Sequence, residues 1–146
     1  MMKILDRLPI SEQGWFVPTP DGAEEVRPYQ IIVWVSITNL KVVDLPEDAL
    51  RIPAILDTGN NHNFAIRERH LERWATIMLP RKGWIEVGGY FVPLRAANIW
   101  IHPNQPETAE PSPQSPFLLK LEEGIAVYPP HTPNPARLPI LGLRAR

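Results

Sequence analysis

The sequence predicts a mainly β protein of the all-β class, a single domain whose strands close into a barrel-like sheet with one helix. Short runs of β-branched and aromatic residues recur along the chain, separated by Gly, Pro and Asn/Asp clusters. One stretch alone has the 3.6-residue apolar period of a helix. A length of 146 residues with 44% hydrophobic and 21% charged residues suits one globular domain rather than a disordered chain.

The first strand signals come before residue 57. Trp15–Val17 predicts a short strand or a flap of chain packed on the body, inside a turn-rich N-terminal extension of residues 1–28. Tyr29–Ile37 is the strongest strand signal, because almost every residue is β-branched or aromatic. The stretch 40–50 is ambiguous between a loop and a short helix. Arg51–Leu56 predicts the next strand.

The one helix is predicted over Phe64–Ala75, after a polar loop at 60–63. Its expected apolar face consists of Ile66, His70, Leu71 and Trp74, which fall at helical spacing. We therefore expect His70 to lie in the core or at its boundary.

Strand signals resume after the helix. Gly88–Gly89 predicts a two-residue hairpin turn between Trp84–Val87 and Tyr90–Leu94, since glycine tolerates positive φ at both turn positions. The remaining predicted strands are Ala96–Ile101, Phe117–Leu121 and Ile125–Tyr128, the last two joined by a turn at 122–124. The chain closes on the apolar segment Arg137–Leu143.

Proline is the compositional outlier, with 18 residues in 146. Because proline lacks an N–H and has a fixed φ, the stretches where it concentrates cannot be helix interiors or central strands. Proline concentrates in two stretches, about 102–116 and 129–139. The stretch 102–116 also carries Gln, Glu, Thr and Ser, and predicts an exposed loop insertion. A polyproline ligand for a partner is the less favoured interpretation of this stretch.

Charge and cysteine content exclude several function classes. The net charge of −1 leaves no basic excess for nucleic acid or an anionic membrane. The absence of cysteine excludes disulfides, thiolate metal sites and a cysteine nucleophile. Apart from His62 and His70, which are eight residues apart, the four histidines form no close-spaced ligand pattern, so we expect no metal. No Walker A or Gly-rich dinucleotide motif is present, and we expect no cofactor. The longest apolar run, 31–35, is far short of the roughly 20 residues of a membrane helix. Without an apolar signal-peptide core near Met1, the expected location is cytoplasmic, as a soluble protein.

Asp57-Thr58-Gly59 carries the sharpest chemical signal. A carboxylate placed where an apolar strand opens into a loop is held rigidly and partly desolvated, and both conditions suit acid–base chemistry. Thr58 can use its hydroxyl to hold the loop, and Gly59 lets another backbone or a ligand approach closely. The tripeptide by itself is equally typical of an ordinary turn.

The surrounding pattern resembles the retropepsin-like aspartic proteases of the single-lobe, Asp-Thr-Gly type. Ala54–Gly59 is similar to their active-site loop, Gly88–Gly89 to the tip of their flap hairpin, and Leu138–Leu143 to the segment that packs behind the loop. The resemblance covers 29–146 as the protease lobe, with the Pro-rich insertion inside it. It departs from the family at the bulky, polar residues after Gly59, in the length of the insertion, and in the four residues that follow Gly142.

The resemblance implies specific roles. Asp57 would be the catalytic aspartate, with Thr58 linking two loops across a molecular two-fold axis and Gly59 completing the turn. Leu141 and Gly142 would support that loop. The flap tip that closes over bound peptide would consist of Val87, Gly88, Gly89 and Tyr90.

The implied activity is that of an aspartic endopeptidase (a hydrolase) acting on peptide or protein substrates. Its chemistry needs two carboxylates that share one proton, and the chain contains one Asp-Thr-Gly. A symmetric homodimer would supply the second copy of Asp57. Two alternatives stay open: a non-catalytic protease-like module for peptide binding or assembly, and an unrelated β-barrel in which Leu141–Gly142 does not pack on the Asp57 loop.

Overall fold

The computed structural model describes residues 13–57, 63–75, 79–103, 116–130, 132 and 138–142. Nine strands and one short helical segment lie in these ranges. The strands are β1 (Trp15–Thr19), β2 (Gly22–Val26), β3 (Ile31–Thr38), β4 (Ile52–Leu56), β5 (Phe64–Arg67), β6 (Arg81–Val87), β7 (Tyr90–His102), β8 (Phe117–Tyr128) and β9 (Ile140–Leu141). The helical segment, α1, is an α-turn at Glu68–His70 continued by a π-helical turn at Leu71–Ala75.

Six strands form a closed barrel in the order β3-β4-β9-β5-β8-β7, and β3 pairs with β7 to complete the ring. β6 pairs with β7 and extends the sheet beyond the ring as one arm of a hairpin. Most neighbours are antiparallel, but β9 runs parallel to β4 and β5 parallel to β8. The prediction of a mainly β, closed-barrel domain is confirmed.

Alternate residues of the strands fill the barrel interior, as period-2 side-chain geometry requires, although a stretch such as residues 32–37 of β3 is buried on both faces. On β7, for example, Ala97, Ile99 and Ile101 face inward with at most 2% of their surface exposed. The neighbouring strands contribute Ile32, Val35, Ile52, Phe64, Ile66, Ile125 and Val127 to the same cluster. Burial of this apolar surface is the main driving force that holds the ring closed.

The β1–β2 hairpin packs on the barrel rather than standing apart from it. Val17 and Val26 are fully buried and belong to the main core cluster. Across the surface, Arg73 in α1 forms an ion pair with Asp21 in the hairpin turn at 2.9 Å. Residues 13–28 therefore share their core with the lobe that begins at Tyr29. Residues 1–12 lie outside the described part.

The prediction of a helix over Phe64–Ala75 is wrong for its first turn. Phe64–Arg67 is β5, held between β8 and β9. A run of four apolar or amphipathic residues fits either period, and here two neighbouring strands offer hydrogen-bond partners that a helix would leave unused. The helical part runs over 68–75, and His70, Leu71 and Trp74 are buried as expected.

The predicted turn at 122–124 is also wrong, because 117–128 forms the single strand β8. Arg95 faces Ile125 while Ala97 faces Leu121, so the residues 122–124 bulge opposite one residue of β7. Gly124 has φ +111, and a Cβ there would lie 2.9 Å from the Leu94 Cβ. Glycine at this position allows a bulge inside a strand rather than a chain reversal.

Gly124→Ala is expected to lower the free energy of unfolding by about 3 kcal/mol, since it adds backbone strain and a close contact with Leu94. Gly83→Ala is the matched control, because a Cβ there meets no atom within 4 Å and the backbone φ is ordinary. We expect it to change stability by less than about 0.5 kcal/mol. Urea denaturation of both variants checks the prediction, and equal midpoints would contradict it.

The connection 39–50 contains no helix and is held to the barrel by buried polar side chains. The Asn98 side-chain amide lies 3.1–3.4 Å from the carbonyl oxygens of Asn39, Leu40 and Val42. At the other end, the Ser36 hydroxyl donates to the Leu50 carbonyl oxygen at 2.8 Å. These bonds satisfy backbone groups that the loop itself leaves unpaired.

Candidate active site

Asp57 follows directly after the barrel strand β4. β4 lies between β3 and β9, and its residues Ile52 and Ala54 are buried in the core. The backbone N–H of Asp57 donates to the carbonyl oxygen of Leu141 at 2.9 Å, which extends the β4–β9 ladder by one residue. The side chain of Asp57 is exposed. The prediction of a partly desolvated carboxylate is therefore wrong for the single chain, in which the backbone of Asp57 is fixed and its side chain is open to solvent.

Leu141 and Gly142 connect β9 to the chain on both sides of residues 58–62. β9 inserts between β4 and β5, parallel to the first and antiparallel to the second. Leu141 accepts a hydrogen bond from Asp57, and the N–H of Gly142 donates to the Asn63 carbonyl oxygen at 2.9 Å. Leu141 itself is 1% exposed. Backbone hydrogen bonds therefore join this segment to Asp57 and to Asn63, the described residues on either side of 58–62.

Thr58 and Gly59 lie outside the described residues, as do the polar residues 60–62. The roles that the family resemblance implies for Thr58 and Gly59 stay predictions. What the structure describes is the pair of loop ends, Asp57 and Asn63, each joined by a backbone hydrogen bond to consecutive residues of the closing segment.

The Gly88–Gly89 hairpin forms as predicted. Val87 pairs directly with Tyr90, and the two glycines have φ of +56 and +85. Positive φ at both central residues is the type I′ geometry, whose twist matches that of the two strands. A Cβ added at either glycine would meet no atom within 4 Å. The tip therefore stands clear of the rest of the described chain.

One face of this hairpin is anchored by a second, small apolar cluster that extends as far as Val87, the residue before the turn. Val92, with Ile85, Val87 and Leu94 from the same hairpin, packs against the outer faces of β5 and β8. The contacts there are Ala65, Ala126 and Tyr128. Ala65 follows Phe64, the β5 residue that pairs with Leu141. The hairpin therefore packs on the same region of the barrel wall as the segment that holds Asp57.

The opposite face of the hairpin carries exposed aromatic side chains. Trp84 and Phe91 are 54% and 63% exposed, and their rings meet edge to face at 6.4 Å between centroids. The guanidinium of Arg81 lies 4.5 Å from the Trp84 ring centroid, within cation–π range. These contacts stiffen the hairpin on its solvent side while the small apolar cluster anchors its other side.

A buried serine–histidine pair, which the sequence analysis missed, lies at the other end of the barrel. The Ser36 Oγ is 2.8 Å from the Nε2 atom of His102, and both residues are at most 5% exposed. Since the single hydroxyl proton of Ser36 is donated to the Leu50 carbonyl, His102 must donate to Ser36 through Nε2. In that tautomer the histidine cannot remove the serine proton, so the pair holds the 39–50 loop and is not a nucleophile with its base.

Two histidines are kept neutral by their surroundings. Burial, reinforced by the charge of Arg51, lowers the pKa of His102 to about 4. Burial, with the positive charge of Arg67 next in importance, lowers the pKa of His70 to about 4 although Asp21 acts in the opposite direction. The His70 ring stacks on Trp74 at 3.9 Å between centroids. Neither histidine lies in the Asp57 support, and the described residues contain no group of three or more His, Asp or Glu placed to hold a metal ion.

A cavity of about 130 Å³ lies beneath the 39–50 loop, between Ser36, Leu50 and Trp74. The cavity is lined by the C-terminal end of β3. Asp57 lies near the N-terminal end of β3, where Ile31 pairs with Leu56. The cavity is therefore separate from the Asp57 region.

Comparison of the chain with protein-family models, with curated proteins and with solved structures gives no match. Within the described residues, no helix has the length and apolar character needed to cross a membrane.

Proposed function

We propose that this protein is an aspartic endopeptidase of the retropepsin-like type, active as a symmetric homodimer. The observation that supports this proposal best is the backbone hydrogen bonding that holds Asp57 in place. Leu141 accepts from the Asp57 N–H, and the next residue, Gly142, donates to Asn63 on the far side of the loop. Motif order in the sequence and hydrogen bonding in the structure thus agree on the same two segments.

Two copies of Asp57 would face each other across the two-fold axis. Two carboxylates at contact distance cannot both stay ionised, so the pair shares one proton and titrates as a unit. The ionised member removes a proton from water as the water oxygen bonds to the peptide carbonyl carbon. The protonated member donates to the carbonyl oxygen. The C–N bond of the resulting diol then breaks as the amide nitrogen takes the proton that the first carboxylate received from water, and a diol hydroxyl returns its proton to the second carboxylate. No covalent enzyme intermediate forms.

The β6–β7 hairpin would act as the flap. Its tip at Gly88–Gly89 stands clear of the body, and β6 has one edge that pairs with β7 and a second edge without a strand in the described part of the chain. An extended peptide can add to such an edge through backbone hydrogen bonds. This mode of binding selects the extended conformation of the peptide and depends less on its side chains. Val87 and Tyr90 flank the tip. Because Val87 packs in the small apolar cluster, the exposed Tyr90 would be the flanking side chain that contacts the bound peptide.

The homodimer requirement gives a direct test by dilution. Because a lone protomer holds one Asp57, the initial rate of peptide cleavage is expected to rise with the square of protein concentration below the dimer dissociation constant. The measurement pairs initial rates on an unstructured protein substrate with sedimentation over the same concentrations.

Far-UV circular dichroism along the dilution series is the control that the protomer stays folded. A rate strictly proportional to concentration where sedimentation finds only monomer would contradict the proposal. Peptide binding by a monomer that cleaves nothing would instead indicate the non-catalytic, protease-like binding module.

A further inference from the structure

The chain enters β3 through a strained turn at Arg27–Gln30. The Gln30 N–H donates to the Arg27 carbonyl oxygen at 3.3 Å, and the Arg27 N–H donates to the Gln30 side-chain oxygen at 2.8 Å. Pro28 occupies the second position of this turn and Tyr29 the third. Tyr29 has φ +66 and is the one non-glycine residue with positive φ in the described ranges. Turns of this kind favour Gly or Asn at the third position, because other side chains are strained there.

The Tyr29 ring does not pack in the core of the protein, because the residue is 68% exposed. Strained backbone that brings no core burial costs stability, and such residues concentrate at functional sites. Glycine or asparagine would make the same turn at lower cost. The strain therefore points to a use for the aromatic side chain outside the chain's own core.

The turn lies at the Asp57 end of the barrel. In the β3–β4 ladder Ile31 faces Leu56, so the register continued by one residue sets Gln30 across from Asp57. Tyr29 comes directly before Gln30. The two hydrogen bonds between Arg27 and Gln30 fix the turn, so the position of Tyr29 relative to β4 is set by the backbone and not by side-chain packing.

Taking the proposed function as its basis, we propose that Tyr29 is a specificity-determining residue of the Asp57 site. Its exposed ring contacts a large apolar side chain of the peptide next to the bond that is cleaved. A tyrosine ring suits this role because it offers a large apolar face with few rotatable bonds and a polar tip that stays hydrated. The preferred substrates are thus peptides with an aromatic or large aliphatic residue beside the cleavage point.

The test compares Tyr29→Asn, Tyr29→Gly and Tyr29→Phe with Val43→Asn as the matched control. Val43 is 79% exposed and lies in the loop at the opposite end of β3. Tyr29→Asn is expected to raise the thermal midpoint by about 2–4 °C, because it removes strain. The same variant should lower kcat/KM about tenfold for a peptide with Phe beside the cleaved bond. The loss should be smaller for the matched Ala peptide.

Tyr29→Gly should lose the same discrimination, whereas Tyr29→Phe and Val43→Asn should keep wild-type kcat/KM ratios. Rates are measured above the concentration at which sedimentation shows complete dimer. Unchanged Phe-over-Ala discrimination in Tyr29→Asn, or a lower thermal midpoint, overturns the inference while the proposed function stands. A loss confined to the dimer dissociation constant also overturns it, since the ring would then be a subunit contact. Failure of the wild type to cleave any peptide overturns the proposed function, and this inference with it.

Discussion

Asp57→Asn is expected to reduce kcat for peptide cleavage by more than about 10³-fold with little change in stability. An amide cannot take the proton from water, and two amides facing each other cannot share an acidic proton. The backbone bond from Asp57 to Leu141 uses the main-chain N–H and survives the substitution. Asn is also close to Asp in volume, so the exposed site should accept it without repacking.

Asp44→Asn is the matched control, because Asp44 is an exposed carboxylate in the 39–50 loop, away from the Leu141–Gly142 support. It should keep full activity. Both variants are compared with wild type by single-turnover cleavage and by urea denaturation. Cleavage by Asp57→Asn within tenfold of the wild-type rate, with the variant folded and dimeric, would end the hydrolytic proposal.

A mixing experiment separates a shared dyad from an independent aspartate. With wild type held constant and Asp57→Asn added in ninefold excess, random pairing leaves about one wild-type protomer in ten with a wild-type partner. Activity should therefore fall about tenfold once subunits have exchanged. If each protomer worked alone, the added variant would leave the rate unchanged. The Asp44→Asn protein, added in the same excess, should raise the rate.

The hairpin and the bulge show what local sequence can and cannot determine. Gly88–Gly89 specifies a two-residue turn because both positions need positive φ, and no distant partner is required. Gly124 carries an equally clear local signal, but its meaning depends on β7 lying against it. The same residue type therefore predicted a turn correctly in one place and wrongly in the other.

The residues of the candidate site also differ in whether local sequence could reveal them. Asp57 and the Leu141–Gly142 segment could be picked out from sequence because each carries a local pattern, and the structure joins them by a backbone hydrogen bond. Ser36 and His102 are 66 positions apart, and neither is distinctive until β3 and β7 pair. Tyr29 was missed for another reason. The sequence predicts Tyr29 as the first residue of the strand Tyr29–Ile37, and this is wrong: the strand begins at Ile31, and Tyr29 lies in the preceding turn with φ +66. A positive φ at a tyrosine leaves no signal in the sequence.

Acidification is expected to destabilise the fold between about pH 6.5 and pH 4. His70 and His102 both have a pKa of about 4 in the folded protein, whereas an unfolded histidine titrates near 6.5. Within this window the unfolded chain binds more protons than the native one, so stability falls as pH falls. The loss is complete below the folded pKa, and each histidine accounts for at most about 3 kcal/mol of it.

Two variants test this assignment. His102→Gln keeps an amide donor for Ser36 but cannot titrate, and His70→Phe keeps a flat ring on Trp74 without a charge. Each should reduce the slope of unfolding free energy against pH, by close to one bound proton between pH 6 and pH 4.5. The measurement is urea denaturation at half-unit pH steps. Curves for wild type and both variants that run parallel through this window would show that other groups cause the acid sensitivity.

The same window bears on catalysis, because a pair of carboxylates sharing one proton works at acid pH as long as the protein stays folded. Under the proposed function, the loss of stability on protonation of His70 and His102 would limit cleavage on the acid side independently of Asp57. We therefore expect the acid limb of the cleavage profile to follow the unfolding curve and to move to lower pH in His102→Gln, once any loss of stability at neutral pH is taken into account. An acid limb that stays in place while the unfolding curve moves would assign it to titration of the Asp57 pair itself.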